Sequence, residues 1–160
     1  MQSSRSTWVI YFTFACAFVV SLIPLPFEYR NFRPSIVDLV LFYWILALPQ
    51  RVGIGAGFSC GLLNDVLEGA YPGLSSPGLM VAALTLLLNY QRIRQFNGFQ
   101  QTLLIFLILL LSSGIEQWLR NTVGIPKLPV AGLMTIFMSA LLWLPLRNML
   151  RHLRRYYEVS

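Results

Sequence analysis

The sequence predicts an all-α integral membrane protein, a single domain built as a bundle of about six transmembrane helices. Its residues are 56% hydrophobic and only 11% charged, whereas a soluble domain carries about 25% charged residues. The mean hydropathy is +0.64. A chain of 160 residues has too small an interior to keep this much apolar surface from water. The lipid bilayer is therefore the predicted environment.

Six apolar runs, separated by proline, glycine or charged residues, are the predicted spans. Several are shorter than the about 20 residues of a full crossing, so we expect local bilayer thinning and burial among neighbouring helices. Runs two and three could instead form a helical hairpin, but Pro49 and Arg51 favour a turn at the membrane interface. The predicted spans are about 8–23, 35–48, 52–66, 77–90, 101–119 and 130–146.

The distribution of basic residues predicts that both termini are cytoplasmic. Six spans with an internal N-terminus place most basic residues inside, as the positive-inside rule requires. The acidic residues agree, since only Glu158 falls inside. Five spans would instead leave the basic tail, 146–160, outside. The inner set is Arg5, Arg51, Arg92, Arg94, Arg147, Arg151, Arg154 and Arg155, and the outer set is Arg30, Arg33, Arg120 and Lys127.

Three glycines four residues apart, Gly53, Gly57 and Gly61, form a smooth face on the third span. Helices in lipid associate through close backbone approach, which such a face permits. The face could receive a helix from a partner protein, or it could pack against a neighbouring span of the same chain.

Acidic residues on three different spans are predicted to lie in the outer half of the membrane. Ionisable groups at that depth usually face the bundle interior and find partners. We therefore expect a polar cluster that holds spans two, three and five in register. Alternatively, each acid lies in the headgroup region, or the cluster lines an outward-facing pocket for a small polar solute. The candidate members are Arg33, Asp38, Asn64, Asp65, Glu116 and Arg120, with Gln117 as a further amide.

The tail alternates leucines and arginines at helical spacing. Such a helix is drawn to anionic lipid at the membrane surface. It could equally bind an acidic cytoplasmic partner, or serve only to fix the topology. The arginines concerned are Arg147, Arg151, Arg154 and Arg155.

Catalysis, metal binding and nucleic-acid binding are not predicted. His152 is the single histidine, and no metal-ligand spacing or phosphate-binding loop is present. The basic residues lie between apolar runs and not along one face, which disfavours nucleic acid. Cys16 and Cys60 are expected to be packing residues. A membrane enzyme using Asp65 with Glu116 is kept as an alternative.

One stretch of the sequence resembles a known family. The segments 32–34 (Phe-Arg-Pro), 41–49 (Leu-Phe-Tyr-Trp-Ile-Leu-Ala-Leu-Pro) and 61–67 (Gly-Leu-Leu-Asn-Asp-Val-Leu) follow one another, with Gly-Leu at 73–74. This string resembles the bacterial rod shape-determining protein MreD family. The segment at 75–77 (Ser-Ser-Pro) departs from the usual family pattern.

The resemblance implies a non-catalytic scaffold of the cell-elongation machinery in the bacterial inner membrane. It implies binding to MreC, whose single transmembrane helix would be the guest at the glycine face. It also implies association with the peptidoglycan polymerase RodA and its partner transpeptidase, with an indirect link to MreB. The implied fold is similar to the substrate-binding subunits of ECF-type vitamin transporters, which keeps a small-solute binding or transport subunit as the alternative function.

Overall fold

The computed structural model describes residues 3–23, 34–124 and 129–157. Within these ranges every secondary-structure element is an α-helix, which confirms the all-α part of the predicted fold class. Each helix lies on one of the six predicted apolar runs, and seven of the twelve boundaries agree within two residues. The helices are α1 (Ser3–Leu22), α2 (Ile36–Ala47), α3 (Ile54–Leu67), α4 (Ser76–Gln95), α5 (Gly98–Val123) and α6 (Pro129–Tyr156).

The short helix α2 lies at the centre of the bundle, in contact with α1, α3, α4 and α6. Its run of large apolar residues has no polar stripe, so the helix is suited to burial on every side. Trp44 is fully buried, and its indole N–H donates to the Thr13 hydroxyl of α1 at 2.8 Å. Buried indole groups usually find such a partner, and this bond fixes α1 against α2.

The helices alternate in direction, and hydrogen bonds between them show it. The start of α2 meets the end of α3, where the Asn64 amide donates to Asp38. The backbone N–H of Ser35, just before α2, donates to the Ser139 hydroxyl of α6 at 2.9 Å. As a result, the start of α1 and the end of α6 lie at the same end of the bundle.

The two ends of the bundle differ in charge. We call the end that holds Asp38, Asp65, Glu68, Glu116 and Arg120 the acidic end. The opposite end holds the arginines that follow α2, end α4 and run along the last part of α6, and we call it the basic end. Its described members are Arg51, Arg92, Arg94, Arg147, Arg151, Arg154 and Arg155.

In the part of the chain that the structure describes, two helices are long and apolar enough to cross a membrane, α5 and the segment Gly132–Tyr156 of α6. Only 22% of the apolar stretch in α5 and 28% of that in α6 are buried inside the bundle. A core helix of a soluble protein would bury most of its apolar residues. These outward apolar faces therefore indicate a membrane environment.

The sixth helix is longer than the predicted span. It continues beyond Leu146 without a break and reaches Tyr156, with Pro145 inside it. The predicted tail is therefore the last part of α6 as far as it is described, and the arginines of the tail share an axis with the span.

Candidate functional site

The glycine face of α3 packs against α4 of the same chain. A Cβ atom added to Gly61 would lie 2.5 Å from the Ser76 Cα, and one added to Gly57 would lie 3.0 Å from the Leu79 carbonyl oxygen. The backbones approach this closely because glycine has no side chain. Of the predicted face, Gly53 alone is open, since nothing lies within 4 Å of its Cβ position. A guest helix at Gly57 and Gly61 would have to displace α4.

Asp65 organises the loop between α3 and α4. Its side chain, only 1% exposed, accepts hydrogen bonds from the backbone N–H of Gly73 at 2.8 Å and of Ser75 at 3.1 Å. The Ser75 hydroxyl in turn donates to the Gly61 carbonyl at 2.9 Å. Gly73 has a φ of 102°, a conformation that side-chain-bearing residues rarely adopt. Asp65 therefore binds its own loop and not the predicted cluster.

The remaining acids connect three helices at the acidic end. The Asn64 amide of α3 donates to the Asp38 carboxylate of α2 at 3.1 Å. Asp38 also accepts a hydrogen bond from the Ser35 side chain, whereas the carboxylates of Glu68 and Glu116 repel it electrostatically. Arg33, a predicted member of this cluster, lies outside the described residues.

Arg120 is the cation of this cluster. Its guanidinium donates to Glu116 at 2.7 Å, one turn earlier on α5, and to Glu68 at 3.4 Å, just after α3. The Arg120 side chain is 4% exposed, Glu116 25% and Glu68 52%. The guanidinium is thus shielded while both carboxylates keep access to water, and it ties the end of α5 to the end of α3. Sequence reasoning did not include Glu68 because it belongs to a loop.

Replacing Glu116 by glutamine is expected to destabilise the bundle more than replacing Glu68 by glutamine. The first change leaves the buried guanidinium with only the more exposed carboxylate, and losing a hydrogen bond to a charged group costs about 1.5–3 kcal/mol. The second removes a longer and exposed contact, worth about 1 kcal/mol or less. Thermal unfolding of the detergent-solubilised variants measures both. The Glu116→Arg/Arg120→Glu exchange should recover part of the loss, and equal melting of the two single variants would contradict this assignment.

A cavity of about 220 Å³ lies at the basic end. Arginines from two helices line it, and none of the carboxylates in the described ranges does. Tyr43 at the end of α2 contributes its hydroxyl, which is hydrogen-bonded by Arg154. The other lining residues are Leu46, Ala47, Arg94, Gln101, Trp143, Arg147 and Arg151. Of the predicted tail arginines, Arg155 is exposed and does not line the cavity.

Two buried polar atoms in this cavity wall have no hydrogen-bond partner. They are the indole Nε1 of Trp143, a residue with no exposed surface, and the Oε1 of Gln101, a residue 3% exposed. Buried polar groups are nearly always satisfied, and each exception requires an explanation. Sequence reasoning missed both residues because each lies inside or beside an apolar run. The available signals were their positions near arginines, since Gln101 follows Arg94 by seven residues and Trp143 precedes Arg147 by four.

The alternative functions have less support from this geometry. Asp65 and Glu116 are engaged by different partners, a loop backbone and a guanidinium. In the described ranges, no group of three or more histidine, cysteine or acidic side chains could hold a metal ion. Cys16 and Cys60 are both free thiols, one exposed and one buried. The described cavity lies at the basic end, opposite the predicted outward-facing solute pocket.

Outward apolar faces on five of the six described helices, with polar groups gathered at the two ends, indicate a helical membrane protein. A family model described as rod shape-determining protein MreD matches residues 2–153. The chain belongs to the MreD family, which confirms the resemblance found in the sequence and supports a role in rod-shape determination.

A curated relative agrees with this family. The chain is 29% identical over 142 residues to the rod shape-determining protein MreD of Haemophilus influenzae (strain ATCC 51907 / DSM 11121 / KW20 / Rd). The alignment covers 89% of this chain and 88% of the relative. No solved structure matches the chain. The implied similarity to ECF-type subunits therefore stays a prediction.

Proposed function

We propose that this protein is a non-catalytic scaffold of the cell-elongation machinery that binds MreC through its transmembrane helices. Family membership supports the rod-shape role. The observation that supports the scaffold role is that the ionisable groups at the acidic end bind other groups of the same chain. Arg120 pairs with two carboxylates, and Asp65 binds backbone N–H groups. These groups join helices together and leave the outward apolar faces as the surface for partners.

The proposed orientation places the basic end in the cytoplasm of the bacterial inner membrane. The positive-inside rule favours this arrangement. The start of α1 and the end of α6 lie at one end of the bundle, as an even number of crossings requires. In this orientation the protein, together with MreC, would stand next to RodA and its partner transpeptidase, with MreB reached indirectly from the cytoplasmic side.

The outer face of α3 is the proposed contact for the MreC helix. Gly57 and Gly61 are already filled by α4, but Gly55 and Ser59 are exposed on the opposite side of the same helix. Nothing lies within 4 Å of a Cβ added to Gly55. Small residues one turn apart allow a second helix to approach closely. Gly53, which directly precedes α3, also has open space at its Cβ position but lies on the side of Gly57.

Co-purification from detergent tests the scaffold and its contact face together. Tagged wild-type protein is expected to bring down MreC, and Gly55→Leu is expected to lose most of it, because the leucine blocks close approach. The matched control is Gly114→Leu, on α5, since Gly114 is also exposed with open space around it. This variant should retain MreC.

Two results would count against the proposal in different ways. If the wild type does not retain MreC, the scaffold function itself is contradicted. If Gly55→Leu retains as much MreC as Gly114→Leu, the outer face of α3 is not the contact surface. Gly57→Leu is unsuitable for this purpose, because that change would disturb the packing of α3 on α4.

A further inference from the structure

The cavity at the basic end combines strong positive charge with buried polar atoms that have no partner. Four guanidinium groups line it, those of Arg94, Arg147, Arg151 and Arg154. The described carboxylates all belong to the acidic end, so none of them lines the cavity. Such a concentration of guanidinium groups is the arrangement proteins use to bind phosphate, because the planar fork matches phosphate oxygens in pairs.

The unpartnered atoms show what else a ligand must provide. The Trp143 Nε1 can only donate, so it requires an acceptor such as a phosphate oxygen. The Gln101 side chain directs its Nε2 to the Ile93 carbonyl, which leaves Oε1 as an acceptor without a donor. A ligand that satisfies the site therefore presents both anionic oxygens and a hydroxyl group.

The position of the cavity along α6 favours a lipid headgroup over a soluble phosphate. From Pro129 to Arg147 the helix rises about 27 Å, at about 1.5 Å per residue. This length is close to the about 30 Å of the hydrocarbon core. Arg147 and Arg151 consequently lie at the depth of lipid headgroups. Tyr43 and Trp143, on neighbouring walls, are of the residue types enriched at that depth.

The size of the cavity limits the ligand further. Its volume of about 220 Å³ is below the about 300–1,000 Å³ of sites for drug-sized ligands. It suits a small polar group such as a phosphate with a short substituent.

We propose that the cavity is a specific binding site for the phosphate and hydroxyl groups of an anionic phospholipid headgroup of the phosphatidylglycerol type. The guanidinium groups and the Trp143 indole bind the phosphate oxygens, and Gln101 accepts a hydrogen bond from the headgroup hydroxyl. The site differs from general attraction of a basic helix to an anionic surface, since it requires buried groups on α5 and α6. It is independent of the proposed contact with MreC.

Native mass spectrometry of the purified full chain, titrated with phosphatidylglycerol or phosphatidylcholine in detergent, tests this site. The wild type is expected to retain one phosphatidylglycerol at least tenfold more tightly than phosphatidylcholine. Arg147→Gln should weaken phosphatidylglycerol binding about tenfold, because it removes a charge-assisted contact with the phosphate. Gln101→Leu should weaken it about threefold, because the hydrogen bond that it removes joins two neutral groups. Trp143→Phe, which removes the donor and keeps an aromatic ring, should act in the same direction.

Arg155→Gln is the matched control, because it removes the same charge from the same helix at an exposed position outside the cavity. Its affinity should equal that of the wild type. Equal weakening by Arg147→Gln and Arg155→Gln would overturn the specific site in favour of diffuse attraction. Displacement of the lipid by inorganic phosphate or glycerol phosphate would assign the site to a soluble phosphate and overturn the lipid assignment. Displacement by a short polyglutamate peptide would likewise overturn it, in favour of an acidic protein segment.

Discussion

Replacing Gly61 by leucine is expected to prevent the bundle from reaching its native packing. Even a Cβ atom at this position would lie 2.5 Å from the Ser76 Cα and 2.8 Å from its backbone nitrogen. These are backbone atoms, which cannot rotate away as the end of a side chain would. Overpacking a core costs about 1–3 kcal/mol when neighbours can adjust, and we expect at least about 3 kcal/mol where the obstacle is backbone.

Gel filtration and thermal unfolding of the detergent-solubilised variant measure this effect. Gly61→Leu should elute as an aggregate or unfold far below the wild type. Gly114→Leu, at an exposed glycine of α5, should behave as the wild type, because its Cβ position is open. If both variants melt together with the wild type, α3 and α4 do not pack through this glycine.

Replacing Asp65 by alanine is expected to give the second largest loss. The change leaves two backbone donors without their acceptor, the N–H of the buried Ser75 and that of the half-buried Gly73. An unsatisfied buried donor costs about 1–3 kcal/mol and the half-buried one costs less, so the free energy of unfolding should fall by about 2–4 kcal/mol. Hydrogen exchange at residues 73 and 75 should accelerate together with the loss of thermal stability.

Asp65→Asn provides the graded comparison. The asparagine retains one oxygen that can accept from both backbone donors but loses the negative charge that strengthens those bonds. Its destabilisation should lie between the wild type and Asp65→Ala. Unchanged hydrogen exchange in the loop of Asp65→Ala would show that the carboxylate does not hold this loop.

Several features of the fold followed from the amino-acid pattern. The apolar runs predicted six helices, because a run of apolar residues bounded by proline, glycine or charge has one stable arrangement in lipid. Pro49 and Arg51 predicted that the second and third runs separate, and the structure has two helices there. The spacing of Glu116 and Arg120 placed the two side chains on one face of α5, because they are four residues apart.

Other features depended on which neighbour each helix has. From the sequence, the face of Gly57 and Gly61 could pack against a partner helix or against another helix of the same chain. In the structure it packs against α4. Asp65 was expected in an ionic cluster, but the loop that follows α3 places the backbone N–H of Gly73 within hydrogen-bond distance of its carboxylate. A hydrogen bond to a nearby loop needs no helix-to-helix contact, and periodicity carries no information about it.

The sequence by itself determined the helical class, the approximate spans and the charge difference between the two ends, because these follow from the cost of placing polar groups and backbone in lipid. Only the tertiary structure decided which polar groups are satisfied. Arg120 donates to Glu68, which is 52 residues away in the chain. Trp143 and Gln101 line the same cavity, and each has a buried polar atom without a hydrogen-bond partner. Hydrogen bonds have a reach of about 3 Å, so they depend on packing between distant segments that no local pattern specifies.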